Sequence, residues 1–587
     1  MSAGCTVLRQ IRFKLAVLLP LASALLLLTA ADRPAVRFRF NVPVRIRDGV
    51  TLAAHVFLPE GEGKYPVILI RTPYGKEGEQ GGAVYFAERG YAVVTQDTRG
   101  RNDSDGEWYA FRNEADDGYD SIEWAASQSW SNGKVVTMGG SYLAIDQWLA
   151  ATRRSPHLVA MVVLVSPSDL YRNTIYPGGA FQLGTAASWA VGTGRHRLMT
   201  EEMKLISWPQ IFRHLPVQSA AAAAGFEPKF YQDWVDHPSR DDYWKGLSWE
   251  EAYSNLNIPV LHIGGWFDIF QEGTIENFVE MARQAPQAAR SAQKLLMGPW
   301  AHGAYGPKVG EVDFGPRSVI DIRAKALRWL NRYVRGEENG VGEELPIEIF
   351  TMGVKDWRSE TAWPPPDATP TRFFLHSQGG ANSAEGNGTL STAGPGDEPP
   401  DRYDYDPADP VPTTGGGTCC NPVLIPWGAM DQRRIENRKD VLIYTSPPLE
   451  KDLEVTGPVA VHLLVSTDAP DTDWTAKLVD VAPDGFAMNL TDGILRARYR
   501  NSFQRPELLD TGKIYEYEIA AGNTSNVFLK GHRIRLEISS SNFPRFSRNT
   551  NTGHQPEKDS NFVVARQTLY HDTRRASYVT LPVRSEN

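Results

Sequence analysis

Three residues of this chain have the types and the order needed to turn an alcohol into a nucleophile: Ser141, Asp268 and His302. A serine hydroxyl attacks a carbonyl only once a base takes its proton. A histidine serves as that base when a carboxylate holds its ring in the right orientation. Ser141 stands in Gly139-Gly140-Ser141-Tyr142-Leu143, between the apolar run Lys134-Val135-Val136-Thr137-Met138 and a helical pattern through Asp146, Gln147 and Trp148. Strand, glycine turn, serine and helix is the context that lifts a serine hydroxyl above a sheet. The simple Gly-x-Ser-x-Gly spacing fails at Leu143, so this motif alone carries little weight.

The partners add that weight. Residues 258–263 lead into Gly264-Gly265-Trp266-Phe267-Asp268, and residues 295–297 lead into Gly298-Pro299-Trp300-Ala301-His302. Serine, acid and histidine in that order, each just past a strand, is the arrangement of an α/β-hydrolase. The bland alternatives are a helix-capping role for Asp268 and a surface-loop position for His302. His262 is a rival base, but its mid-strand position marks it as a core residue or as one that supports the site from behind. An oxyanion needs donors fixed in advance. The Tyr142 backbone N–H is one, and Arg71-Thr72-Pro73-Tyr74, after an earlier strand, is placed to offer a second. The residues themselves leave open whether Tyr74 gives a hydroxyl or only packs.

The elements that must position these groups read as follows. Residues 36–57 form an extended hairpin pattern around Asp48-Gly49. Short apolar runs then alternate with helical stretches, which predicts a parallel sheet covered on both faces. This α/β-hydrolase part spans 36–167 and resumes over 248–340. Between them, 168–247 is rich in alanine and tryptophan (Trp189, Trp208, Trp234, Trp244) and reads as an inserted helical cap, or else as a long helical connection. From 341 to 587 come a proline triplet, a Gly/Ser/Asn/Pro-rich stretch over 377–417 and many short strands. Val459, Val461, Leu463 and Val465 keep a period of two, and Arg533-Ile534-Arg535-Leu536-Glu537-Ile538 alternates as a strand with one wet face would. An antiparallel jelly roll fits.

At 587 residues two or three domains are expected. The net charge of −9 without a basic block excludes nucleic acid as a natural partner. Arg9, Arg12 and Lys14, an apolar stretch over 15–28 and then Thr29-Ala30-Ala31 form the layout of a signal peptide over 1–31, with a retained anchor as the alternative. The expected location is therefore exported, periplasmic or secreted, with no membrane contact after cleavage. Outside that segment only Cys419 and Cys420 remain, which form either a vicinal ring or two free thiols. No metal site is expected from two adjacent thiols, and no cofactor is expected.

The stretches Gln96-Asp97-Thr98-Arg99-Gly100, 139–143, 264–268 and 298–302 closely resemble the cocaine esterase / X-Pro dipeptidyl-peptidase-like hydrolase family. The likeness continues over 465–484 and 524–553, including Ser539-Ser540-Ser541-Asn542-Phe543-Pro544. It implies an α/β-hydrolase domain with an inserted cap, followed by an all-β jelly-roll (galactose-binding-like) domain that helps close the site. It implies that Tyr74 donates its hydroxyl to the oxyanion hole beside the Tyr142 amide. Phe270 and Trp189 resemble residues lining an acyl pocket. The chain departs from the family at Ala144, where glycine is usual, and near Cys419-Cys420-Asn421. Relatives that hold a substrate ammonium carry acids just after the catalytic Asp; here Ile269, Phe270 and Gln271 precede the lone Glu272. The expected substrate is a small ester, cleaved through an acyl-enzyme, with amide cleavage by an acylase or aminopeptidase as the alternative. A homo-oligomer is left open.

Overall fold

The computed structural model describes residues 35–584, and the expected leader over 1–31 lies outside the described residues. The first domain is built on a sheet whose strands include β1 (Arg37–Arg45), β2 (Thr51–Leu58), β3 (Tyr65–Thr72), β4 (Ala92–Asp97), β5 (Ser131–Gly140), β6 (Leu158–Leu164), β7 (Val260–Phe267) and β8 (Lys294–Ala301). Runs such as Val67-Ile68-Leu69-Ile70 are buried on both faces, because side chains alternate across a sheet that helices cover on both sides. The spatial order is β1-β2-β4-β3-β5-β6-β7-β8. β3 to β8 pair in parallel, while β1 and β2 form the expected antiparallel hairpin.

That order contains a reversal. From β3 the chain first steps to β4 on one side and then returns to β5 on the other. The loops after β3 and β5 therefore diverge, leaving a crevice at the carboxyl ends of the strands, where ligands bind in open α/β sheets. Tyr74 follows β3 and Ser141 follows β5, so both stand at this reversal.

Short helices from Tyr171–Ile175 to Asp242–Lys245 fill the segment between β6 and β7. Trp208, Trp234 and Trp244 are buried among them, whereas Trp189, on the helix Leu183–Thr193, is only partly buried. Among the described residues no helix is long and apolar enough to cross a membrane.

The remaining chain is almost entirely strands. Leu453–Thr467 is its longest strand and pairs antiparallel with Tyr515–Phe528. Val459, Val461, Leu463 and Val465 are buried together, as their period of two requires. Two features differ from the sequence reading. Ile347–Thr351 and Asp356–Glu360, expected in the all-β region, instead extend the first sheet beyond β8. And the charged face of Arg533–Ser539 is not wet: Glu537 is buried against Lys477 at 3.3 Å, and Arg535 reaches Glu436 at 2.6 Å. Alternation reports two chemically different faces; here paired charges allow the polar one to be covered as well.

A loop of the all-β region runs back to the first domain. Thr418 bridges to Asp268, and Gly416 pairs with Gly428 at the base of the loop. Gln271, just past Asp268, exchanges hydrogen bonds with the Asn523 backbone, donating to its carbonyl at 2.6 Å and accepting from its N–H at 2.8 Å.

Candidate active site

Ser141 sits between β5 and the helix Tyr142–Ala151 with φ 61° and ψ −122°. Such a conformation costs about 1–3 kcal/mol and persists only where the surroundings enforce it. Here the Ser141 N–H donates to the Leu164 carbonyl at 3.1 Å, and its own carbonyl accepts from Ala144 and Ile145 at 2.9 and 3.1 Å. Gly139, with φ 153°, makes the tight approach feasible: a β-carbon there would collide with Leu143. Ala144 is fully buried in the helix, so the extra methyl at this position is accommodated.

Asp268 uses both carboxylate oxygens. Oδ1 accepts from the Phe270 N–H at 2.7 Å, and Oδ2 lies 2.8 Å from His302 Nδ1. The turn role and the histidine-orienting role are thus combined in one side chain. The Phe270 ring packs edge-on against the His302 ring at 5.5 Å between centroids. Asp268 is buried and His302 partly so, and His302 lines a cavity that Ser141 lines too. His262 is elsewhere: burial depresses it to about 4, and its Nε2 meets Gln293 at 3.1 Å. It is a neutral core residue.

Tyr74 lines both cavities that Ser141 borders, and Trp189 Nε1 donates to its hydroxyl oxygen at 3.0 Å. Burial pushes the phenol up to about 12, so it keeps its proton and remains a donor. Arg101, fully buried, ties this corner together by donating to the carbonyls of Pro73 at 2.7 Å and Thr193 at 2.6 Å. Tyr142 opens its helix, so its N–H has no partner within the helix. Its side chain is anchored below, donating to Glu114 at 2.7 Å and accepting from the Phe111 N–H at 3.0 Å.

Two adjoining cavities share Tyr74, Ser141, Trp189 and Cys420. The inner one is apolar and aromatic, with Phe111, Trp234 and Phe270 among its walls. The outer one opens past His302, Asn421 and cap residues such as Met203. Among the described residues no Asp or Glu lines either cavity. Glu272 lies outside both, its carboxyl pushed up to about 7 by burial and by Glu276.

Known proteins share this whole architecture. The family model for the X-Pro dipeptidyl-peptidase (S15 family) matches residues 48–304, and that for the X-Pro dipeptidyl-peptidase C-terminal non-catalytic domain matches 339–580. A cocaine esterase of Rhodococcus sp. (strain MB1 Bresler) is 37% identical over 92% of this chain and 98% of its own. The chain belongs to the cocaine esterase / X-Pro dipeptidyl-peptidase-like family. It is a serine hydrolase, with an α/β-hydrolase-type domain followed by an all-β domain. The solved structure of an α-amino acid ester hydrolase is 26% identical and superposes with a TM-score of 0.81, covering 94% of this chain and 97% of that one. An aminopeptidase from the marine sediment archaeon Thaumarchaeota archaeon, 24% identical over the same shares, has the same fold at a TM-score of 0.82.

Within this family member the fold brings together all seven residues singled out from the sequence. Ser141, Tyr74, Tyr142, Trp189 and Phe270 line the inner cavity, Ser141 and His302 line the outer one, and Asp268 stands behind His302. Sequence reasoning missed Phe111 and Arg101. Arg101 directly follows the motif 96–100, and that adjacency was the available signal. Phe111, with φ 69°, had none.

Proposed function

We propose that the chain cleaves carboxylic esters through an acyl-enzyme, with Ser141 as nucleophile, His302 as base and Asp268 as its orienting carboxylate. The observation that carries this reading is the 2.8 Å contact of Asp268 Oδ2 with His302 Nδ1, in a ring that shares a cavity with a strained serine. With the proton on Nδ1, Nε2 is free to accept the Ser141 proton as Oγ attacks the carbonyl carbon. The tetrahedral oxyanion then faces the Tyr74 hydroxyl and the Tyr142 N–H. Collapse breaks the carbon–oxygen bond to the alcohol, which leaves with the proton from His302. Water repeats the attack, His302 takes its proton, and the acid departs as that proton returns to Ser141.

The inner aromatic cavity takes the acyl group and the outer one the alcohol. The lack of a lining carboxylate favours substrates without a free ammonium, hence esters over the amino-terminal amides an aminopeptidase cuts. A fluorophosphonate probe should modify Ser141, and Ser141→Ala should remain unlabelled; modification of another serine overturns the assignment. The N-terminal pattern supports export with loss of 1–31, and the strand-rich second domain is read as a jelly roll. N-terminal sequencing of the mature protein checks the first point: an intact N-terminus would mean a retained anchor.

A further inference from the structure

The loop carrying Cys419 and Cys420 comes from the all-β domain, yet it ends beside His302. Its backbone is tied down by the Thr418–Asp268 bridge. Cys419 is buried against Ile269 and Phe270, and Cys420 is exposed at the cavity wall. The two sulfurs are joined in a disulfide, and they and a ring nitrogen of His302 all lie within 4.8 Å of one another. His302 Nδ1 is engaged by Asp268, so the nitrogen available to a ligand is Nε2.

We propose that, once this disulfide is reduced, Cys419, Cys420 and His302 form an inhibitory site for a thiophilic divalent cation such as Zn²⁺. Reduction is a two-electron step: a dithiol delivers two electrons and two protons to the sulfur pair and is itself oxidised to a cyclic disulfide. The cation then replaces the two thiol protons, which pass to solvent. Two thiolates and one imidazole leave a fourth position for water, the open arrangement zinc adopts with three protein ligands. Tetrahedral zinc holds such ligands roughly 3.5–3.8 Å apart, so the two sulfurs must draw apart once the bond between them is broken, while the imidazole closes in on them. The Asp268 carboxylate on the far nitrogen supplies the orienting partner that zinc-bound histidines almost always have. A cation on Nε2 takes the lone pair that would accept the Ser141 proton, so binding and hydrolysis exclude each other. Only this consequence for turnover rests on the proposed role of His302; the coordination does not.

The test uses the purified full chain, reduced with dithiothreitol and freed of it by gel filtration under argon, beside an untreated sample. Each is dialysed against Zn²⁺ alone and its bound zinc is measured by mass spectrometry. Each is also assayed for ester hydrolysis with and without zinc. The reduced protein should bind one zinc and lose about 10²–10⁴-fold in rate, the worth of a general base, with recovery on chelation. The oxidised protein should show neither effect. Cys420→Ser, judged against its own zinc-free rate, should lose both binding and inhibition. Asp268→Asn should bind about 10–100-fold more weakly, a readout that does not depend on turnover. Equal zinc binding by oxidised and reduced protein, or undiminished binding by Cys420→Ser, overturns the site. Fluorophosphonate labelling of the zinc-free protein separately reports whether the reading of Ser141 has failed.

Discussion

Two aspartate–histidine pairs in this molecule are nearly the same in geometry and opposite in consequence. In the first domain His302 Nδ1 lies 2.8 Å from Asp268; in the all-β domain His571 Nε2 lies 2.9 Å from Asp401. The second pair is completely enclosed. Asp401 also accepts from Ser377 and Tyr444, both at 2.7 Å, and from the Ala381 N–H at 2.9 Å. The other nitrogen of His571 meets Glu398 at 3.2 Å, so every valence of that ring is spent on protein. His302 spends one nitrogen on Asp268, and its ring borders a cavity that Ser141 also lines. The pair itself is not diagnostic. What the second nitrogen faces decides between catalysis and architecture.

The largest way to break this comparison is to delete each histidine. His302→Ala should lower kcat by about 10⁶-fold, since triad members act as a unit. His571→Gln should leave kcat unchanged while lowering the unfolding free energy by about 3–5 kcal/mol in chemical denaturation, the cost of breaking a buried pair. A similar loss of kcat in both would erase the distinction. Next in size is Tyr74→Phe, expected to reduce kcat by about 10²–10³-fold, the value of one oxyanion donor. An unchanged rate would leave Tyr74 as a packing residue. Trp189→Phe keeps the aromatic wall and removes only the hydrogen bond to Tyr74, so kcat should fall by roughly two- to tenfold. A loss as large as that of Tyr74→Phe would mean that Trp189 touches the reacting atoms.

The smallest effect is a pH signature. Burial would lower the affinity of His571 for its proton, but Asp401 and Glu398 outweigh it and the ring is shifted upward in the folded state. Folding therefore favours the protonated ring. The resulting stability is complete below the ordinary histidine pKa of about 6.5 and is lost as pH rises through the higher folded value. The Tm gap between the wild type and His571→Gln should narrow across that window. A gap that is constant or widens would contradict the assignment.

Much of the first domain was readable along the chain. The apolar runs marked β3 to β8 because strands buried on both faces need unbroken apolar stretches, and glycine-rich turns marked where functional loops leave them. The strand boundaries were drawn too short at β7 and β8, which run through Phe267 and Ala301. Gly264, Gly265, Gly298 and Pro299 look like breakers in sequence, but close packing of parallel neighbours keeps them extended. The charged face of Arg533–Ser539 misled for a related reason: local alternation cannot show that Lys477 and Glu436 arrive to cover it.

By itself the sequence determined which chemistry was available and on which elements it would sit, since hydrophobic period, turn residues and the order of serine, acid and histidine are local properties. Only the tertiary structure decided that Trp189 holds the Tyr74 hydroxyl and that Cys419 and Cys420 stand beside His302. Those facts depend on contacts between segments far apart in the chain. Such contacts are selected by packing and desolvation in three dimensions, and they leave no period along the sequence.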